Sequence, residues 1–184
     1  MTLANQLTVL RMCLVPVLVI LLVYGYFGWG LAVFLIAGVT DALDGVFARA
    51  RRERTQLGTM LDPLADKLLV VTSLVVLSIP NLSLTVPIPV WVTILAISRD
   101  AGILITVVVV NLAIGRRVFS PTALGKATTA VQLLTILWVL WGNYRGAALP
   151  LTEGLLALMV AFTVASGLHY IHHARRIMGE EEAG

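Results

Sequence analysis

The sequence predicts an all-α integral membrane protein built as a bundle of six transmembrane helices. Three observations carry that expectation. Hydrophobic residues make up 59% of the 184 and charged residues only 12%, with a mean hydropathy of +0.95; an average soluble domain carries roughly twice that share of charge. The apolar residues fall into six runs, most of them near the roughly 20 residues that a bilayer-spanning helix needs. Nearly all of the 13 Lys and Arg lie at one set of run ends.

The runs are Met12–Tyr26, Gly30–Arg49, Leu57–Ile79, Pro89–Leu112, Pro121–Trp141 and Pro150–His172. The first is short, and helical turns from Asn5 onward extend it. Breakers separate the runs: Gly25, Gly28 and Gly30; Pro80, Pro87 and Pro89; Gly115 and Pro121; Gly142, Gly146 and Pro150. Arg11, Arg49, Arg51, Arg52, Arg54, Arg116, Arg117, Lys126, Arg175 and Arg176 fall at one set of ends. Arg145 alone falls at the other, and Lys67 and Arg99 lie inside runs. The positive-inside rule then makes both termini and the Arg49–Arg54 connection cytoplasmic. Tyr24, Tyr26, Phe27, Trp29, Trp141 and Tyr144 form an aromatic belt on the opposite side.

Residues 1–178 read as one transmembrane domain with a juxtamembrane segment at 1–11, followed by a solvated acidic tail at 179–184. The run from Met12 lacks an Ala-x-Ala-like site, and no Arg- and Ser-rich transit peptide precedes it. Those flanks point to a bacterial plasma membrane. Lone Cys13 reads as a small buried hydrophobe and offers no Cys-based zinc site. The net charge of +3 suits anionic lipid head groups and requires no nucleic acid.

Against this background Asp41, Asp44, Asp62 and Asp66 are out of place, because ionised carboxylates in or beside hydrocarbon need compensating charge. Asp41 and Asp44 are three apart at the cytoplasmic end of the second run; Asp62 and Asp66 are four apart at the start of the third. Each pair shares a helix face. Helices joined by a short connection are antiparallel neighbours, so the four carboxylates converge at one depth. Oxygen ligands without Cys or clustered His favour Mg²⁺, Mn²⁺ or Ca²⁺ over zinc or copper. Two divalent ions held together are the usual device for in-line displacement at phosphorus. Gly45, Ala48 and Gly58 leave a groove free of bulky side chains, and Arg49 supplies a cation suited to phosphate. In membrane helices such small residues also serve packing.

Asp41-Ala-Leu-Asp44-Gly45-Val-Phe-Ala48-Arg49, then Gly58, Asp62 and Asp66 at fixed spacing, resembles the CDP-alcohol phosphotransferase signature at all eight fixed positions. Asn5-Gln-Leu-Thr8-Val-Leu-Arg11 is similar to the family's N-terminal segment, with Ala4 where proline is common. Gly125-Lys126-Ala-Thr-Thr-Ala-Val-Gln132 resembles a later segment of its phosphatidylglycerol-phosphate and cardiolipin branch. The resemblance implies a six-helix membrane enzyme, generally a homodimer, in which an alcohol displaces CMP from a CDP-linked lipid such as CDP-diacylglycerol. It implies that Asp41, Asp44 and Asp62 ligate two metal ions, Mg²⁺ or Mn²⁺, with Asp66 shared between ligation and general base. It further implies that Gly45, Ala48, Arg49 and Gly58, with Asn5 and Thr8, hold the cytidine diphosphate.

The acceptor alcohol stays open between glycerol 3-phosphate and phosphatidylglycerol, and other alcohols such as inositol or serine derivatives are the alternative within the family. Arg99 and Lys126 are the candidates for binding a phosphate on the acceptor. Adjacent residues on a helix point about 100° apart, so Arg99 and Asp100 are expected to serve different partners. The rival class is a cation-coupled transporter, whose sites tend to lie at mid-membrane between broken helices. Here the acids cluster at the cytoplasmic end.

Overall fold

The computed structural model describes the backbone of residues 3–51, 56–80, 82–114 and 122–182, and the side chains of 9–40, 67–80, 82–106 and 122–170. Among these there are six helices and no strand: α1 Leu3–Val23, α2 Phe27–Arg51, α3 Gln56–Leu77, α4 Val90–Ile114, α5 Ala123–Arg145 and α6 Thr152–Glu182. Each corresponds to one apolar run of the sequence. The chain divides into two compact units, residues 1–88 with 136–150, and residues 89–135 with 151–184.

In the first unit α1 packs against both α2 and α3. Leu18, Leu22, Phe34, Ala37, Leu69, Leu74 and Leu77 are buried and form its core with Ile136 and Leu140 of α5. α1 stops where Gly25 adopts φ 78°. The Tyr26 N–H donates to Leu21 O at 2.8 Å and the Gly25 N–H to Leu22 O at 3.1 Å, the Schellman arrangement that returns donors to the last carbonyls of a helix. α5 ends the same way: Gly146 has φ 62°, and the Ala147 N–H reaches Gly142 O at 3.1 Å. Both glycines sit where a side chain would strain the backbone.

After α3 the chain runs without helix to Ile88, whose N–H donates to Leu77 O at 2.9 Å. Asn143 of α5 clasps this segment. Its Nδ2 donates to Val86 O at 2.9 Å, its Oδ1 accepts the Val86 N–H at 3.1 Å, and Nδ2 also meets Val139 O at 2.9 Å. The aromatic belt gathers in this unit: the Trp141 and Tyr144 rings lie 5.8 Å apart, and a Cβ on Gly28 would fall 2.8 Å from the Tyr144 ring. Cys13 is exposed, contrary to the buried place expected for it; its face of α1 is turned away from α2 and α3.

In the second unit α4 packs against α6. The opening half of α5 joins α6 through Thr128, whose Oγ1 donates to Phe162 O at 3.2 Å. Thr122 caps α5: its Oγ1 accepts the Gly125 N–H at 3.1 Å. Thr93, Thr128, Gln132, Thr135, Thr163 and Ser166 are buried here among Val92, Ala96 and Met159. Small hydroxyl side chains that reach across helices are typical glue in apolar surroundings.

Outward faces are strongly apolar. Ile20, Trp29, Ile36, Val39, Trp91, Ile94, Ile105 and Leu168 are all more than half exposed. Among the described residues two helical stretches, Ala123–Arg145 and Thr152–Tyr170, are long and apolar enough to cross a membrane, and Val9–Val23, Phe27–Thr40 and Lys67–Leu77 are shorter apolar helices.

Candidate active site

The acid-bearing segments are helical. Asp41 and Asp44 lie in the last half of α2, and Asp62 and Asp66 in the first half of α3. The connection is shorter than the sequence suggested, since Arg49 still belongs to α2 and Gly58 is already in α3. Arginine is a good helix former, so the charged run prolongs α2 instead of ending it. A link this short makes two helices antiparallel. Asp44 is then seven residues from the end of α2 and Asp62 six from the start of α3, while Asp41 and Asp66 are each ten away. Counted along the helices at about 1.5 Å per residue, Asp44 and Asp62 lie at similar distances from the link between them, and so do Asp41 and Asp66.

The side chains of Asp41, Asp44, Asp62, Asp66, Gly45, Ala48, Arg49, Gly58, Asn5 and Thr8 lie outside the described residues, though each backbone position is in α1, α2 or α3. Among the described residues no group of three or more His, Cys, Asp or Glu forms a metal site. The donor chemistry of the acid-bearing segments is all oxygen, which fits a hard divalent ion such as Mg²⁺ or Mn²⁺.

Arg11 was expected as a charge at a membrane surface. It is instead 1% exposed and takes part in polar contacts on α1, the helix against which both acid-bearing helices pack. The sequence signal was its place at the end of the Asn5–Arg11 segment.

Arg99 and Lys126 lie in the second unit. The Arg99 side chain is 7% exposed and its Nη1 donates to Asp100 Oδ1 at 2.7 Å. The two therefore do pair, against expectation: the backbone vectors diverge, but the long, flexible arginine stem folds back to its neighbour. Arg99 also serves a second partner, donating from Nε to Ser166 Oγ at 2.8 Å. Lys126 is in the first turn of α5 and exposed. Beside it, a Cβ on Gly125 would lie 3.5 Å from Arg99 Nη2, so the start of α5 and the guanidinium are brought together. Ser166 carried no sequence signal; it is one serine in an apolar helix.

Comparison with known proteins bears on the same residues. The profile of the CDP-alcohol phosphatidyltransferase family matches residues 1–165. A probable phosphatidylglycerophosphate synthase of Mycobacterium tuberculosis (strain ATCC 25618 / H37Rv) is 36% identical, over 96% of this chain and 83% of that protein. A CDP-diacylglycerol–glycerol-3-phosphate 3-phosphatidyltransferase of Bacillus subtilis is 32% identical over 91% of this chain and 92% of its own length. The CMP-forming cardiolipin synthase of Homo sapiens is 34% identical over 95% of this chain and 62% of its own. The match takes in α1 to α5, the aspartates of α2 and α3, and the Arg99 segment. With that extent and that pattern of acids, the chain belongs to the CDP-alcohol phosphatidyltransferase family.

Proposed function

We propose that the protein moves the phosphatidyl group of CDP-diacylglycerol to a glycerol-type alcohol that already carries a phosphate, releasing CMP. The observation that supports this best is the placing of Asp41 and Asp44 near the end of α2 and of Asp62 and Asp66 near the start of α3, at matching distances from the short link between the two helices. Asp41, Asp44, Asp62 and Asp66 would hold two divalent ions, Mg²⁺ or Mn²⁺. Such ions, when bound, supply positive charge to the diphosphate and to the developing alkoxide.

Arg49 and the small residues Gly45, Ala48 and Gly58, with Asn5 and Thr8, bind the cytidine diphosphate. Asp66 takes the proton of the acceptor hydroxyl as general base, with Asp62 beside it. The hydroxyl oxygen bonds to the phosphatidyl phosphorus, the phosphoanhydride bond breaks, and its electron pair leaves with CMP. Arg99 and Lys126 orient the acceptor by its phosphate.

Glycerol 3-phosphate is the acceptor we favour, because the two relatives matched over the greatest share of their own length carry names for that reaction or its product. Phosphatidylglycerol is the second reading, favoured by the human relative and by Ser98-Arg99-Asp100 in α4. The exposed apolar faces and the Lys and Arg at one set of helix ends support a multi-pass protein of a bacterial plasma membrane. The same features support an active site at the cytoplasmic face of a homodimer.

Purified protein should release CMP from CDP-diacylglycerol with Mn²⁺ or Mg²⁺ and one of the two acceptors, and thin-layer separation of the lipid product identifies which. Asp62→Asn and Asp66→Asn should each reduce CMP release to background while the protein still inserts and keeps its helix content. Full activity in either variant, or in excess chelator, would refute the mechanism.

A further inference from the structure

Arg99 is held rather than merely buried. Its Nε donates to Ser166 Oγ at 2.8 Å and its Nη1 to Asp100 Oδ1 at 2.7 Å. Ser166 is 2% exposed, and its own hydroxyl proton is committed to Thr163 O at 3.1 Å. The serine oxygen therefore meets Nε as an acceptor, and the relay from Arg99 through Ser166 to Thr163 has one direction. A guanidinium pinned at Nε and at Nη1 has lost its freedom to swing. What remains are the N–H groups of Nη2 and the second of Nη1, and Nη2 has no hydrogen-bond partner among the described residues.

That remaining edge faces the start of α5. Nη2 is 3.5 Å from where a Cβ of Gly125 would stand, and a Cβ on Gly167, next to Ser166, would lie 3.7 Å from the Arg99 Cγ. Gly125 is in the first turn of α5; its own N–H is taken by Thr122 Oγ1, and the positive end of the helix dipole there favours an anion. Two positions without side chains and one serine thus let the guanidinium lie close to α5 and α6, fixed at Nε and Nη1, with its Nη2 edge toward the start of α5.

We propose that Ser166 is a positioning residue for the acceptor's phosphate, setting the Nη2 edge of Arg99 toward the start of α5. This rests on the reading of Arg99 as the acceptor-phosphate ligand. Ser166 touches no substrate in this role. It acts by limiting the orientations that Arg99 takes before the acceptor arrives, which lowers the ordering cost of binding.

The test is the steady-state kinetics of Ser166→Ala, Ser166→Thr, Arg99→Met and the Ser166→Ala/Arg99→Met pair, with glycerol 3-phosphate and phosphatidylglycerol supplied separately. Ser166→Ala should raise KM for the acceptor that turns over about tenfold, equivalent to about 1.4 kcal/mol, with KM for CDP-diacylglycerol unmoved. Ser166→Thr keeps the hydroxyl and should restore most of the loss. Adding Ser166→Ala to Arg99→Met should change nothing further, because the serine acts only through the arginine. An unchanged acceptor KM in Ser166→Ala, while Arg99→Met raises it, overturns the role of Ser166 alone. An unchanged acceptor KM in Arg99→Met overturns the reading beneath it. Equal losses for both substrates with a lowered thermal midpoint in Ser166→Ala make the bond a structural tie and overturn the proposal.

Discussion

A guanidinium that is 1% exposed, as that of Arg11 is, is stable in a helical bundle only where acceptors surround it. Arg11 takes part in at least one polar or electrostatic interaction on the helix that α2 and α3 share as a neighbour. Removing one member of a buried charged interaction typically costs about 3–5 kcal/mol. Arg11→Met should therefore lower the thermal unfolding midpoint in detergent sharply, and Arg11→Lys should recover part of it. The aspartate variants differ in kind, since Asp66→Asn is nearly isosteric and should cost activity without costing the fold. An Arg11→Met protein as stable as the parent would show that the arginine is not a structural cation.

Among the elements, Asn143 joins a helix to a segment that has no regular structure. Both polar groups of Val86 are satisfied by this one side-chain amide, so Asn143→Leu would leave a buried N–H and a buried carbonyl unmet. At about 1–3 kcal/mol for each such group, we expect a loss of about 3 kcal/mol, read as a lower unfolding midpoint and faster proteolysis within residues 82–88. Asn143→Asp keeps the acceptor, loses the donor and should fall between.

The same element shows what a single sequence can and cannot reveal. Gly25 and Gly146 were legible as stops, because a helix end that turns into positive φ calls for glycine. The outer limits of α2 and α6 were not. Arg51 and Glu182 are helical, and polar residues good at forming helices carry a span beyond its apolar core. Of the candidate site, the acid spacing was legible from helical period alone. The Arg99–Ser166 bond was not, because nothing local marks a serine as the partner of a residue 67 positions earlier.

For the whole molecule the distribution of charge makes a prediction about sidedness. In a Cys13→Ser background, a cysteine introduced as Ala148→Cys should react with a membrane-impermeant maleimide added to intact cells. One introduced as Arg54→Cys should react only after the membrane is opened. The reverse pattern would place the aspartates on the outside and overturn the proposed cytoplasmic site. A further consequence follows from the two ends of α5. Thr122 caps its first turn and Gly146 closes its last, and its 23 residues amount to a helix of about 35 Å. Across a hydrocarbon layer of about 30 Å, a helix of that length has a mismatch of a few ångströms, which tilting can absorb. Where the acyl chains of the surrounding lipid are shorter or longer, a helix of this length that spans the bilayer leans more or less.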